Sequence, residues 1–198
     1  MTRAVIFDLF GTLVRLGRDR KRMWALTRRF GKDRRDAELW RAAMGEPDAR
    51  LRARLFELGA SADEVAECFA EIEEDTRTVE LFTGAREVLV ALRERGLKLG
   101  LLSNISAPYT PAWRHSGLDG LVDVVLFSCD IGAVKPEPEA YQRMLAELGV
   151  EAHEAVMIGD SAKCDVQGPQ SVGIRGLLLD RAGHWRGLRE LAEVPEHL

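Results

Sequence analysis

Cysteine is scarce in this sequence. Cys68, Cys129 and Cys164 are odd in number, far apart and at no metal-ligand spacing. That excludes a disulfide framework and fits reduced thiols. Long apolar runs are also missing: no stretch approaches the roughly 18 residues of a membrane span. The apolar stretch at the N-terminus is only a strand's length and lacks a charged-then-apolar signal pattern. A soluble, cytoplasmic protein without a membrane partner is expected. Nor does positive charge dominate, with 28 Lys and Arg against 32 Asp and Glu and a net charge of -4, so no nucleic-acid partner is expected. Lysine is rare, five against 23 arginines, which we read as compositional bias without functional content.

What is present is an ordinary core-forming composition, 46% hydrophobic and 30% charged over 198 residues. It suits one domain carrying a modest insertion. From residue 81 onward, helix-like and strand-like segments alternate. Helices are predicted over 85–95, 111–115, 137–148 and 164–171. Glycines at 96, 117 and 149 sit in the helix-ending position. Strands are predicted over 97–102, 122–127, 155–158 and 174–179, with a first strand at 3–8. Short apolar strands separated by helices indicate an α/β fold, a doubly wound parallel five-stranded sheet whose ligands bind beyond the carboxyl ends of the strands.

Residues 15–80 break the alternation. They show no convincing strand and contain helix-like pieces near 20–30, 36–43, 48–58 and 62–78. The expected organisation is a core of residues 1–14 and 81–198 with a small all-helical cap, 15–80, inserted at the ligand edge. The cap's charge is lopsided: residues 15–54 hold 14 Lys and Arg against 6 acids, and residues 55–80 hold 9 acids against 1 Arg. Two readings stand: a positive surface that draws an anionic substrate, or helix pairs that neutralise each other.

The strand ends carry the chemistry. Asp8 follows the first strand, Ser103 and Asn104 the next, and Gly159 and Asp160 a later one. Lys135 lies in a proline-punctuated loop. An aspartate freed at a strand end can attack an electrophilic centre. Hydroxyls and loop N–H groups can hold an anion, and a lysine can keep a carboxylate ionised. Asp160 and Asp165 offer hard oxygen ligands for Mg²⁺. Together these are phosphoryl-transfer equipment. Singly, each has a plain alternative: Asp8 and Asp160 as turn or cap residues, Lys135 as a surface lysine.

Four motifs, "VIFDLFGTL", "LGLLSNIS", "GAVKPEPEAY" and "VMIGDSAKCDVQGPQSVG", occur in this order, and the sequence resembles the haloacid dehalogenase superfamily of hydrolases. The resemblance covers 1–14 and 81–198 and implies a Rossmann-like core. It implies Asp8 as nucleophile, Ser103 as phosphate-binding hydroxyl with Asn104 beside it, and Lys135 as the neutralising lysine. Thr12 would fix the loop after the nucleophile. It places Mg²⁺ among Asp8, Asp160, Asp165 and the backbone carbonyl of Phe10.

Phe10 departs from the pattern. Most phosphatases of this family carry a second aspartate there, which protonates the leaving group and activates water. Losing such a group typically lowers the rate on the order of 10²–10⁴. The family's 2-haloacid dehalogenases carry an aromatic residue at this position, attack carbon and need no metal. Tyr141 and "LWR" at 39–41 also resemble dehalogenases, with Arg41 as a candidate grip on a substrate carboxylate. Trp24 or Trp40 could line an apolar pocket. The acids of "GDSAKCD" point instead to a metal. Carbon–phosphorus cleavage through a cap lysine, Lys21 or Lys32, is a further option. The leading expectation is a Mg²⁺-dependent hydrolase of a small phosphorylated metabolite, an anionic small molecule. A 2-haloacid dehalogenase and a catalytically weakened ligand-binding protein are the alternatives. His115 is a candidate for proton transfer, and the chain is expected to be a monomer or homodimer.

Overall fold

A computed structural model describes residues 1–19, 21–32 and 36–198. In chain order the elements are β1 (Ala4–Phe7), β2 (Val14–Leu16), α1 (Arg22–Arg28), α2 (Ala37–Gly45), α3 (Asp48–Glu57), α4 (Ala62–Thr76) and β3 (Val79–Leu81). There follow α5 (Ala85–Glu94), β4 (Lys98–Ser103), α6 (Pro111–His115), β5 (Val124–Phe127), α7 (Ser128–Ile131), α8 (Pro138–Leu148), β6 (Ala155–Gly159), α9 (Gly168–Gln170) and β7 (Arg175–Leu178).

The main sheet has five strands in the order β5-β4-β1-β6-β7, every pairing parallel. β1 lies at its centre and all four of its residues are fully buried, which is why "AVIF" reads as an unbroken apolar run. Alternate side chains face opposite ways. Val5 and Phe7 join the core beneath α5, with Val88, Leu89 and Leu92. Ala4 and Ile6 join the core beneath α8, with Tyr141, Met144 and Leu148. The register pairs Phe7 with Leu101 on β4 and with Ile158 on β6. Asp8 therefore emerges level with Leu102 and Gly159, with Ser103 and Asp160 one residue further out along the same edge.

Helices α1 to α4 gather around a separate core that includes Met23, Leu26, Leu51, Leu55, Val65, Phe69 and Ile72. Their starts are set locally. The Asp36 carboxylate accepts from the Leu39 amide at 3.0 Å, and Ser61 with Glu64 forms a reciprocal capping box at the start of α4. Arg22 pairs with Glu71 at 2.9 Å and Arg29 pairs with Glu64. Part of the lopsided charge is thus neutralised between α1 and α4.

Residues 15–80 are not wholly helical. β2 and β3 form an antiparallel two-stranded ribbon that carries the chain into and out of the helices, with Arg15 opposite Glu80 and paired to it at 2.8 Å. Three-residue strands are too short to show a periodicity. They exist because two crossings side by side satisfy each other's backbone groups. The helix expected over 164–171 also differs: it starts as a π-helical turn over Ala162–Gln167 before α9.

Candidate active site

Asp8 leaves β1 with its amide still donating to the Ile158 carbonyl at 2.9 Å. The chain then turns tightly, the Leu9 carbonyl accepting from the amides of Leu13 and Val14 at 2.9 and 3.0 Å. Gly11 sits at φ +83°, and a Cβ there would lie 2.1 Å from Asp160 Oδ2. Only glycine suits both the left-handed backbone and this close approach. Thr12 Oγ1 donates to Asp8 Oδ2 at 3.3 Å. Arg181, just past β7, donates to the carbonyls of Gly11 and Thr12, the latter at 2.7 Å. Its guanidinium lies over the Phe82 ring, 3.7 Å from the centroid.

Lys135 is placed by its backbone. The Asn104 side chain donates from Nδ2 to the Lys135 carbonyl and accepts from the Lys135 amide through Oδ1, both at 2.7 Å. The lysine is 2% exposed. Its Nζ donates to Asp8 Oδ1 at 2.9 Å and to Asp165 Oδ1 at 2.7 Å. Asp165 Oδ2 accepts from the Ser161 amide at 3.0 Å. The π-helical turn turns Asp165 inward, its loosened Cys164 carbonyl taken by the Tyr141 hydroxyl at 2.6 Å. A Cβ on Gly159 would lie 2.2 Å from Asp165 Cγ, so the end of β6 must be bare for this carboxylate to fit.

Carboxylate oxygens of Asp8, Asp160 and Asp165 all lie within 4.8 Å of one another. With Lys135 as the ammonium among them, the cluster is two charges short of neutrality. The strain shows in the titration of its members. Desolvation, then the charges of Asp8 and Asp165, pushes Asp160 up to about 6. Desolvation raises Asp165 although Lys135 pulls the other way. Burial disfavours the Lys135 ammonium, yet Asp8 and Asp165 outweigh it and hold the group above the usual lysine range. A surplus of hard oxygen charge in a partly desolvated place suits a divalent cation such as Mg²⁺. The donor set of three carboxylates fits one.

The remaining expected residues fall into two groups. Ser103 is buried at the last residue of β4, and Phe10 and Asn104 face a cleft under the cap. Arg41 is elsewhere: its guanidinium pairs with Glu137 at 2.9 Å and donates to the Gly132 carbonyl at 2.7 Å, tying α2 to the core. His115 Nδ1 is held against Thr76 Oγ1 at 3.3 Å. Lys32 pairs with Asp36 at 2.5 Å. Trp24 lines the cleft and Trp40 does not. Arg181 was missed by the sequence reading, though it stands three residues past the carboxyl end of β7 on the same edge.

A family model described as haloacid dehalogenase-like hydrolase matches residues 2–173. Among curated relatives, the chain is 38% identical over 117 residues to the phosphatase MT3486 of Mycobacterium tuberculosis, covering 57% of this chain and 54% of that one. It is 31% identical over 132 residues to the phosphoserine phosphatase of Thermus thermophilus, covering 66% and 53%. The chain thus spans about half the length of the curated relatives it matches. Among solved structures, a HAD phosphatase from Thermococcus onnurineus aligns with TM-score 0.68 at 26% identity, covering 99% of this chain and 97% of that one. A 2-haloacid dehalogenase from Pseudomonas syringae aligns with TM-score 0.74 at 21% identity over the same shares, a likeness of fold alone.

Proposed function

The chain belongs to the haloacid dehalogenase-like hydrolase family, and on that premise we propose that it is a Mg²⁺-dependent phosphatase of a small phosphorylated metabolite. The observation that carries this reading is the surplus of negative charge around Asp8. Three carboxylates cluster there, and the one buried ammonium, Lys135, pairs with two of them, Asp8 and Asp165. A metal-free site that binds a carboxylate substrate has no use for Asp160, whereas a site that binds a cation and a phosphoryl group does. The phosphatases among the curated relatives support it.

In this reading an Asp8 oxygen attacks phosphorus, forming an acyl phosphate while the ester P–O bond breaks. Lys135 holds Asp8 ionised and offsets charge on the transferring group. The Ser103 hydroxyl binds a phosphoryl oxygen, and Thr12 fixes the second Asp8 oxygen. Asp8, Asp160, Asp165 and the Phe10 carbonyl would hold Mg²⁺, which when bound would supply positive charge beside the transferring group. Phe10 gives no proton, so water protonates the departing oxygen. A second water then cleaves the acyl phosphate and restores Asp8. Residues 15–80 act as the lid over residues 1–14 and 81–198. Arg41 serves as a latch between the two and not as a substrate grip.

One observation favours a second reading. Phe10 faces an apolar part of the cleft with Met23, Trp24 and Met44, as a 2-haloacid dehalogenase pocket would require. The two are separated by assaying phosphate release from aryl phosphates and halide release from 2-chloropropionate, each with and without Mg²⁺. Metal-dependent phosphate release that disappears in Asp8→Asn is expected. Metal-independent halide release would replace the phosphatase reading with the dehalogenase one.

A further inference from the structure

The cleft beneath the cap holds about 800 Å³ and is bounded by Phe10, Gly11 and Asn104 on the core side and by Lys21, Trp24 and Arg28 on the cap side. Phe10 and Gly11 in its wall belong to the loop that follows Asp8. This is the volume of a site for a sizeable organic molecule, far more than a phosphoryl group fills. Its occupant must therefore have a body, and the walls say what kind.

The cap's arginines are mostly spent on acids. Arg22 meets Glu71, Arg29 meets Glu64, Arg41 meets Glu137, Arg54 meets Glu38 and Arg77 meets Glu73. Arg15, at the cleft, is opposite Glu80. Lys21 and Arg28, both exposed to the cleft, carry no ion pair among the described residues. The acid that faces them, Asp19, has its Oδ1 occupied by the Lys21 amide at 3.0 Å. Lys21 is also the one described non-glycine residue with positive φ, 51°, a conformation that asparagine or glycine would adopt more readily. Met23, Trp24 and Tyr109 give the same cleft an apolar and aromatic wall.

We propose that the cleft selects a phosphate monoester whose apolar or planar body carries a second anion, a carboxylate or phosphoryl group, bound by Lys21 and Arg28. The proposal rests on the phosphatase reading and specifies its substrate class. The reaction end is acidic and suited to a cation-bridged phosphoryl group. Lys21 and Arg28 bring positive charge to the same cleft, and Met23, Trp24 and Tyr109 bring apolar surface. A neutral body leaves both cations without a counter-charge, and a cationic body is repelled.

Four probes test it: phenyl phosphate, 4-carboxyphenyl phosphate, 4-(phosphonomethyl)phenyl phosphate and 4-(aminomethyl)phenyl phosphate. Their kcat/KM is measured with Mg²⁺ at low and high salt, and their binding to Asp8→Asn is measured by calorimetry. Two exposed ion pairs should favour the carboxylate and phosphonate probes over phenyl phosphate by about three- to tenfold. The preference should shrink at high salt, with the aminomethyl probe weakest. The carboxylate and phosphonate arms show which anion is preferred. Lys21→Asn, which keeps the left-handed backbone, combined with Arg28→Ala should abolish the preference, each probe's kcat/KM being taken relative to phenyl phosphate in the same variant. Equal handling of all four probes, or a preference that survives the double variant, overturns the proposal. If no ester is hydrolysed, the phosphatase reading falls, and the binding arm still decides: an anion preference lost in the double variant supports the cationic site, and its absence removes it.

Discussion

Lys135→Met tests the account of the site most directly. Methionine keeps much of the side chain's length and volume, so the change removes an ammonium without opening a large cavity. Two carboxylates lose their donor: Asp8 Oδ1, 2.9 Å away, and Asp165 Oδ1, 2.7 Å away, with the Asp165 side chain 1% exposed. Removing one partner of a buried pair costs about 3–5 kcal/mol. For a chain of this size each kcal/mol lowers Tm by about 2–4 °C, so a fall of about 6–20 °C is expected at pH 8 without metal. The pH dependence gives the sign. Desolvation already holds Asp165 above the ordinary carboxylate range, and losing Lys135 raises it further. A raised carboxylate destabilises the folded state fully above its folded pKa and ceases to do so as pH falls and it protonates. The deficit in Tm should thus be largest at pH 8 and clearly smaller at pH 5, followed by circular dichroism melts at both values. Adding Asp165→Asn to Lys135→Met should recover part of the loss at pH 8. A variant melting within about 2 °C of the parent at pH 8, or a deficit equal at both pH values, would refute the ion-pair reasoning.

Asp8→Asn should abolish turnover yet leave Tm nearly unchanged, because the Lys135–Asp165 pair persists; steady-state assay and melting together check this. Phe10→Asp should raise phosphatase turnover, by tenfold or more if the absent proton donor limits the rate, within the range of about 10²–10⁴ that such groups supply; an unchanged kcat counts against that limitation. Asp160, pushed up to about 6, is protonated below that pH, so Mg²⁺ affinity should weaken as pH falls through about 6. Calorimetry at pH 5.5 and 7.5 in buffers of different ionisation enthalpy should show proton release on metal binding, greater at the lower pH. Affinity independent of pH across this window would remove Asp160 from the metal site.

Much of the core was legible because its signals are local. The "AVIF" run before Asp8 read as the first strand, and helix-ending glycines punctuated the rest. The ribbon of β2 and β3 was not legible, since three-residue strands have no period and exist only through each other. Tyr141 could be read as a site or packing residue. Its hydroxyl on the Cys164 carbonyl shows that it supports the π-helical turn carrying Asp165. Arg41 could be read as a substrate grip, and its bond to Glu137, 96 residues away, places it between cap and core.

By itself the sequence determined the alternation of strands and helices from residue 81 onward, the aspartate at the first strand end and the departure at Phe10. Each depends on a few adjacent residues and on side-chain chemistry that burial does not alter. Tertiary structure alone decided which charges are spent. Among the described cap arginines, ion pairs within and between elements neutralise most, while Lys21 and Arg28 line the cleft. Among many acids, the sheet's register and the π-helical turn after β6 bring Asp8, Asp160 and Asp165 together, with Lys135 paired to Asp8 and Asp165. Charge acts through distance and desolvation, and neither can be read along the chain.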